Sequence, residues 1–124
     1  MEKALILFAH GARDPEWARP VQAVAKRLQG ENSDLDIAVA FLEFMTPTLA
    51  EAVSALVQRA GTQPIAIDVL PFFIAQGGHL RQEVPVMLEQ IRQQHPQLQL
   101  RLLPPLGELP SVQAAMADAI SRLL

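Results

Sequence analysis

The chain has 124 residues, enough for one domain with a real core and too few for a second. Half of it is hydrophobic and only 5% aromatic, the formal charge is −3 with histidine neutral, and there is no cysteine. Disulfides, thiolate metal sites and thiol nucleophiles are thereby excluded, the basic footprint of a nucleic-acid binder is missing, and a cysteine-free chain suits a reducing cytoplasm.

The start reads as a buried strand. Residues 4–9 are apolar without interruption and lead straight into His10; a run of six is too short for a signal-peptide core or a membrane span. Asp14 and Pro15 then supply an N-cap and a first-turn proline, and Trp17, Val21, Val24, Ala25 and Leu28 recur at helical spacing, predicting a helix over 15–28. A second strand is predicted over 35–42. Thr46 and Pro47 repeat the cap-plus-proline start, and Leu49, Val53, Leu56, Val57 and Ala60 form the next helical stripe, closed by Gly61. A third strand over 64–73, a third helix over 86–94, a fourth strand over 98–103 and a last helix over 111–124 complete four βα units. Such alternation predicts an α/β three-layer sandwich, a four-stranded parallel sheet flanked by helices on both faces, in a single domain over 1–124. The proline-rich stretch 104–110 is a connection before the last helix.

A period of about 33 to 36 residues also fits helical solenoids, but each unit here opens with a β-like run and the units share no pattern beyond βα. What the period provides is geometry. His10, Glu43 and His79 follow the first, second and third strands at similar positions. In a flavodoxin-like strand order of 2-1-3-4 they face one crevice at the carboxyl ends of the strands, where such sheets bind ligands. Neighbouring strands lie about 4.8 Å apart, so Glu43 and His79 are expected to flank His10 within joint reach of a small ion.

Each histidine is joined to a glycine, in Ala9-His10-Gly11 and Gly78-His79-Leu80, and the glycine lets backbone or ligand approach closely. Glu43 sits in an otherwise apolar run, so its carboxylate must face water, a cation or a ligand. His95, in a polar turn at the opposite edge of the sheet, reads as ordinary surface. Trp17, Met45 and Met87 read as packing residues, and Phe72 and Phe73 as either core or an apolar wall by the crevice. Arg13 either holds an anion or pairs with Asp14 or Glu16.

Several familiar chemistries do not fit. A dinucleotide-binding loop needs three spaced glycines after the first strand, which His10-Gly11-Ala12-Arg13 lacks. A receiver domain needs acidic residues where this chain has histidine, a histidine phosphatase has arginine where this chain has Ala9, and serine hydrolysis has no nucleophile elbow. Two histidines and one carboxylate, with no thiolate, suit a divalent first-row metal such as cobalt, iron or nickel and leave coordination positions open.

Three segments in register carry a resemblance. Leu7-Phe8-Ala9-His10-Gly11-Ala12-Arg13-Asp14-Pro15, then Ala40-Phe41-Leu42-Glu43-Phe44 with Pro47-Thr48-Leu49, then Leu70-Pro71-Phe72-Phe73-Ile74-Ala75-Gln76-Gly77-Gly78-His79-Leu80 through Val84-Pro85, resemble the small CbiX-type sirohydrochlorin chelatases. The resemblance implies a class II chelatase fold and insertion of a divalent metal into sirohydrochlorin, a reduced tetrapyrrole with eight carboxylates. It implies cobalt for cobalamin biosynthesis first and iron for sirohaem second, the metal being substrate with no tightly bound cofactor. It also implies a homodimer, because the small members resemble one half of larger two-domain chelatases. The family's two histidines correspond to His10 and His79, as metal ligands and catalytic residues, and the acidic residue of the larger relatives to Glu43. Ala12 departs from the family, where serine is commoner, and bears on a loop hydrogen bond only.

Within that reading Glu43 or a histidine takes the pyrrole protons. Arg13 and Arg81 are the candidates for substrate carboxylates, Phe72, Phe73 and Ile74 for the flat of the ring, and Gly77 and Gly78 for its close approach. A carrier that delivers metal or tetrapyrrole to a partner enzyme needs similar ligands and is separated from a chelatase by turnover.

Overall fold

The computed structural model describes residues 2–124 and shows the predicted three layers. Four parallel strands, β1 (Glu2–Ala9), β2 (Asp36–Phe41), β3 (Ile65–Pro71) and β4 (Leu98–Leu102), lie in the order β2-β1-β3-β4. Strand β1 is therefore central, paired on both sides, which is why its run Ile6-Leu7-Phe8-Ala9 is buried without alternation.

Helices α2 (Leu49–Ala60) and α3 (Gly78–Gln94) cover one face of the sheet, where Ile6, Phe8, Val53, Leu56, Ile67, Val69, Val84 and Leu88 form the larger core. Helix α1 (Arg19–Glu31) covers part of the other, over Leu7, Ala9, Ala18, Val21 and Phe41. The predicted α2 stripe is buried apart from half-buried Ala60, and Gly61 ends the helix at φ 67°, a left-handed value that glycine adopts without steric cost. Each of those fully buried aliphatic side chains contributes about 1.5–3 kcal/mol through the water it leaves. Among the described residues no helix is long and apolar enough to cross a membrane.

Several boundaries differ from the sequence-based expectation. Residues 15–18 form a short 3₁₀ turn, capped by Asp14, whose carboxylate accepts the Glu16 N–H at 3.0 Å; α1 proper starts at Arg19 and runs on to Glu31. On this turn Trp17 is 41% exposed, so it does not pack as expected, and Val24 also faces outward, whereas Met45 and Met87 are half-buried against the two cores. Thr48, not Thr46, caps α2: its hydroxyl accepts the Glu51 N–H at 3.2 Å and the Glu51 carboxylate accepts the Thr48 N–H at 2.8 Å. Helix α3 begins at Gly78, eight residues before the predicted start. Pro85 lies inside it on the exposed side, where water can reach the Arg81 carbonyl that proline, having no N–H, leaves without its helical donor.

The last helix, α4 (Pro110–Ser121), follows a 3₁₀ turn at Leu106–Glu108 and buries none of its residues. It does not cover the sheet as a helix layer on that face was expected to. On the face it leaves open, Arg101 of β4 donates to Asp68 of β3 through Nε and Nη2 at 2.9 and 2.8 Å, and that carboxylate raises the guanidinium pKa above its ordinary value.

Replacing Thr48 by Ala removes one half of the α2 capping box and is expected to lower stability by about 1 kcal/mol, measured by urea unfolding. An unchanged midpoint would show that the cap contributes nothing.

Candidate functional site

The carboxyl ends of β1 and β2 are tied together by backbone alone. Leu42 N–H donates to the Ala9 carbonyl at 2.9 Å, and Glu43 N–H to the His10 carbonyl at 3.0 Å, carrying the strand pairing two residues past its formal end. Gly11 follows at φ 90°, so close to the second strand's exit that a Cβ would stand 1.9 Å from the Glu43 carbonyl oxygen. Only glycine fits there. The third strand joins the same edge, Phe72 N–H donating to the Phe8 carbonyl at 2.7 Å.

This knit holds His10 half-buried at the end of the central strand. Its imidazole lies against the Phe73 ring, with centroids 4.4 Å apart and planes tilted by 40°, and Phe73 in turn meets Phe8 at 6.2 Å. Phe73 is buried and Phe72 is half-buried in the α1-side core, so both follow the core alternative and not the apolar wall; of the three apolar candidates only Ile74 is exposed, at 76%. The reason is a contact from far along the chain. Phe73 accepts the Gly107 N–H at 2.8 Å, and Gly107 sits on the Ile74 backbone with no room for a Cβ, which draws the Phe73 segment inward.

Glu43 is exposed at the exit of β2, next to the exit that carries His10, and the next residue, Phe44, takes φ 67° and stays 58% exposed. The Arg13 guanidinium stands over the Phe44 ring at 5.0 Å, a cation–π contact. It pairs with neither Asp14 nor Glu16; Glu16 is held by Arg19 at 3.1 Å.

His79 occupies the first turn of α3, not a loop before it, and its side chain is 84% exposed. Its Nε2 lies 2.9 Å from Glu83 Oε1, one helical turn on. The helix N-terminus itself faces the same end of the sheet, and the N–H groups of Gly78, His79 and Leu80 precede its first bond, Arg81 N–H to the Gly77 carbonyl at 3.0 Å. Arg81 also donates from Nη2 to the Gln76 carbonyl at 3.0 Å, bracing the loop. Among the described residues, neither Arg13 nor Arg81 belongs to an ion pair.

Gly77 and Gly78 differ from Gly11. Neither has a positive φ, and a Cβ on either would meet nothing within 4 Å. The fold does not demand glycine at these two positions.

The strand order thus brings His10, Glu43 and the α3 N-terminus to adjacent exits, but it does not close them into a cluster. Among the described residues, no three histidine, aspartate or glutamate side chains stand near enough to hold one metal ion, so the expected joint reach of His10, Glu43 and His79 is not realised. The cause is the eight-residue span from the end of β3 to His79, which lifts that histidine onto a helix and beside Glu83. His95, at the far end of α3, is half-buried and its N–H donates to the Arg92 carbonyl at 3.2 Å. Glu83 and Phe44 were not singled out in the sequence. Glu83 is four residues from His79, a signal that becomes readable once the helix is started at Gly78.

The CbiX family profile matches residues 4–123. A sirohydrochlorin cobaltochelatase of Saccharolobus solfataricus is 31% identical over 109 residues, 83% of this chain and 81% of that one. Another from Methanococcus maripaludis is 30% identical over 86 residues, 69% of this chain and 58% of the relative, so the match spans well under two thirds of that relative's length. Among solved structures, a putative cobalamin biosynthesis CbiX protein from Marinobacter aquaeolei superposes with a TM-score of 0.81 at 29% identity, covering 97% and 95% of the two chains. The sirohydrochlorin chelatase SirB from Bacillus subtilis in complex with cobalt has a TM-score of 0.80 at 20% identity, covering 98% of this chain and 51% of SirB, and shares the fold.

Substituting Gly11 by Ala is expected to cost about 2 kcal/mol or more, because a left-handed residue acquires a side chain against a carbonyl oxygen. Gly78→Ala is expected to leave stability within about 0.5 kcal/mol. Chemical denaturation of the two variants checks the contrast, and equal losses would contradict it.

Proposed function

The chain belongs to the CbiX family, and from that premise we propose that it is a sirohydrochlorin chelatase, inserting a divalent metal ion into the tetrapyrrole. Cobalt is the first choice and ferrous iron the second. The observation that carries the reading is the strand order: with β1 between β2 and β3, His10, Glu43 and the helix bearing His79 leave neighbouring exits on one edge of the sheet. The names of the relatives agree with it, and a SirB structure holds cobalt while another holds Fe3+.

Insertion asks four things of the protein. The ion must be held and partly stripped of water, the macrocycle must lie beside it, two pyrrole N–H protons must leave, and the product must depart. Neutral imidazoles of His10 and His79 supply the first protein ligands through ring nitrogen lone pairs. As pyrrole nitrogens replace water on the ion, the two N–H bonds break heterolytically; each electron pair stays on its nitrogen as a donor pair to the ion, and the two protons leave one after the other. The exposed Glu43 carboxylate accepts a proton and passes it to solvent.

The remaining residues place the substrate. Arg13 and Arg81, exposed and without carboxylate partners among the described residues, face the same end of the sheet as the histidines, and each can bind a propionate or acetate arm. The unsatisfied N–H groups at the start of α3 favour anions as well. Ile74 offers an apolar contact to the ring face, while Phe73 acts by seating His10. Gly77 and Gly78, which the fold does not need, keep side chains out of the space the macrocycle enters. A single chain presents only an open edge to a wide, flat substrate, which supports a homodimer as the working unit.

His10→Ala and His79→Ala are each expected to lower the rate of cobalt insertion by on the order of 100-fold, followed by the absorption change of sirohydrochlorin. His95→Ala is expected to retain the parental rate. Near-normal rates in both of the first two variants would refute the assignment, and binding of one equivalent without turnover in the parent would make the protein a carrier.

A further inference from the structure

Phe44 carries two costs that the fold does not require. It takes φ 67°, whereas the other positive-φ positions among the described residues, Gly11 and Gly61, are glycines, and its ring stays 58% exposed at the exit of β2. A left-handed backbone brings Cβ too close to the following carbonyl oxygen, and bulky residues avoid it most strongly. Glycine would make the same turn without that cost. An aromatic ring left in water also forgoes the burial that makes such a side chain stabilising. Neither the backbone nor the core asks for phenylalanine here.

The turn that carries it is clamped at both ends. Leu42 and Glu43 donate to the Ala9 and His10 carbonyls on entry, and the Phe41 N–H donates to the Pro47 carbonyl at 2.9 Å across the turn. With Gly11 pressed on the Glu43 carbonyl as well, residue 44 is held in its conformation by the contacts around it, the condition under which such strain persists. Strain kept in this way at the edge that carries His10 and Glu43 points to use of the side chain.

The ring borders a cation and a crevice. The Arg13 guanidinium lies 5.0 Å from its centre, and a crevice of about 400 Å³ opens between the start of α1 and residues 44–46, with Arg13 and Phe44 both in its lining. Ala18, Phe41 and Met45 give it apolar walls, and among the described residues that line it Arg13 alone is charged. One cation in an otherwise uncharged crevice selects an anion carried on an apolar frame. A carboxylate on an arm of one or two methylenes stands about 3–4 Å from the ring carbon that bears it. That reach lets the carboxylate meet Arg13 while its parent ring touches Phe44.

We infer that this crevice seats one carboxylate arm of the macrocycle: Arg13 takes the carboxylate, and the Phe44 ring, which also backs the guanidinium, meets the rim of the pyrrole that bears the arm. The site rests on the chelatase reading and adds to it a grip on the substrate separate from the metal ligands. Because Arg13 follows His10 by three residues and Phe44 follows Glu43 directly, holding one arm here sets which part of the macrocycle stands beside His10. Phe44 thus fills the role that Phe72 and Phe73, turned into the protein, leave vacant.

Phe44→Gly keeps the left-handed turn and removes the ring, so stability and recognition separate. Its urea midpoint is expected at or above the parental one, while its affinity for metal-free sirohydrochlorin, titrated through the absorption of the macrocycle, falls about tenfold. In the insertion assay KM rises and kcat holds. Phe44→Tyr is expected to keep the parental affinity. Arg13→Ala combined with Phe44→Gly is expected to lose less than the two single losses together, since guanidinium and ring act as a unit. Gln22, exposed on α1 and part of the crevice lining, allows a second probe: Gln22→Glu is expected to weaken binding several-fold and Gln22→Lys to preserve it. Parental affinity in either Phe44→Gly or Gln22→Glu, with a parent that binds and metallates sirohydrochlorin, would overturn the site and leave the chelatase reading standing. Displacement of sirohydrochlorin by excess propionate would show a site for free small carboxylates and would overturn the assignment to a substrate arm. A parent that does not bind sirohydrochlorin would overturn both.

Discussion

Two carbonyl acceptors and one missing Cβ set the geometry of the functional edge. Where β1 and β2 end, the Ala9 and His10 carbonyls take the Leu42 and Glu43 N–H groups, and Gly11 lies against the Glu43 carbonyl at a distance no other residue permits. The chain reverses direction over the sheet without leaving its backbone groups unpaired, which a buried strand end requires. Everything placed at this edge inherits its stiffness: the half-buried imidazole of His10, the Phe73 ring beneath it, and the Phe44 turn that carries Arg13. A second close approach, Gly107 on Ile74, fixes the segment after β3 in the same way and decides which of its apolar side chains turn inward.

The other histidine is held differently. His79 stands almost wholly in solvent, on the first turn of a helix, with a Glu83 carboxylate as its neighbour. In the proposed reaction that asymmetry is useful. An ion that must be taken from water and then surrendered to four pyrrole nitrogens is better served by one fixed imidazole and one that reaches it from solvent than by a closed cage that retains it.

Much of the fold was legible in the sequence because its signals are local. The apolar run before His10 marks a central strand, the α2 stripe with Gly61 marks an amphipathic helix, and four βα units limit the topology to a parallel sheet with right-handed crossovers. What misled was punctuation. Pro85 reads as a helix boundary, yet it lies on the exposed side of α3, and the true start at Gly78 has no side-chain cap to announce it. The late predicted start placed His79 in a loop instead of on the helix, hid Glu83, and made the three-residue cluster look closer than it is. The fate of Phe72 and Phe73 depended on a contact with Gly107, more than thirty residues away, which no local pattern reports. Likewise the last helix is legible in the sequence, whereas the fact that it buries none of its residues is visible only in three dimensions.

Because the chain has three histidines, one spectrum addresses the central claim, that His10 and His79 together receive the metal. Imidazole nitrogen resonances of the uniformly labelled protein would be followed while cobaltous ion is added. The account predicts that the signals of His10 and His79 shift or broaden together at the first equivalent while those of His95, at the opposite edge of the sheet, stay in place. A response of His95 at the first equivalent, or of only one of the other two, would contradict it.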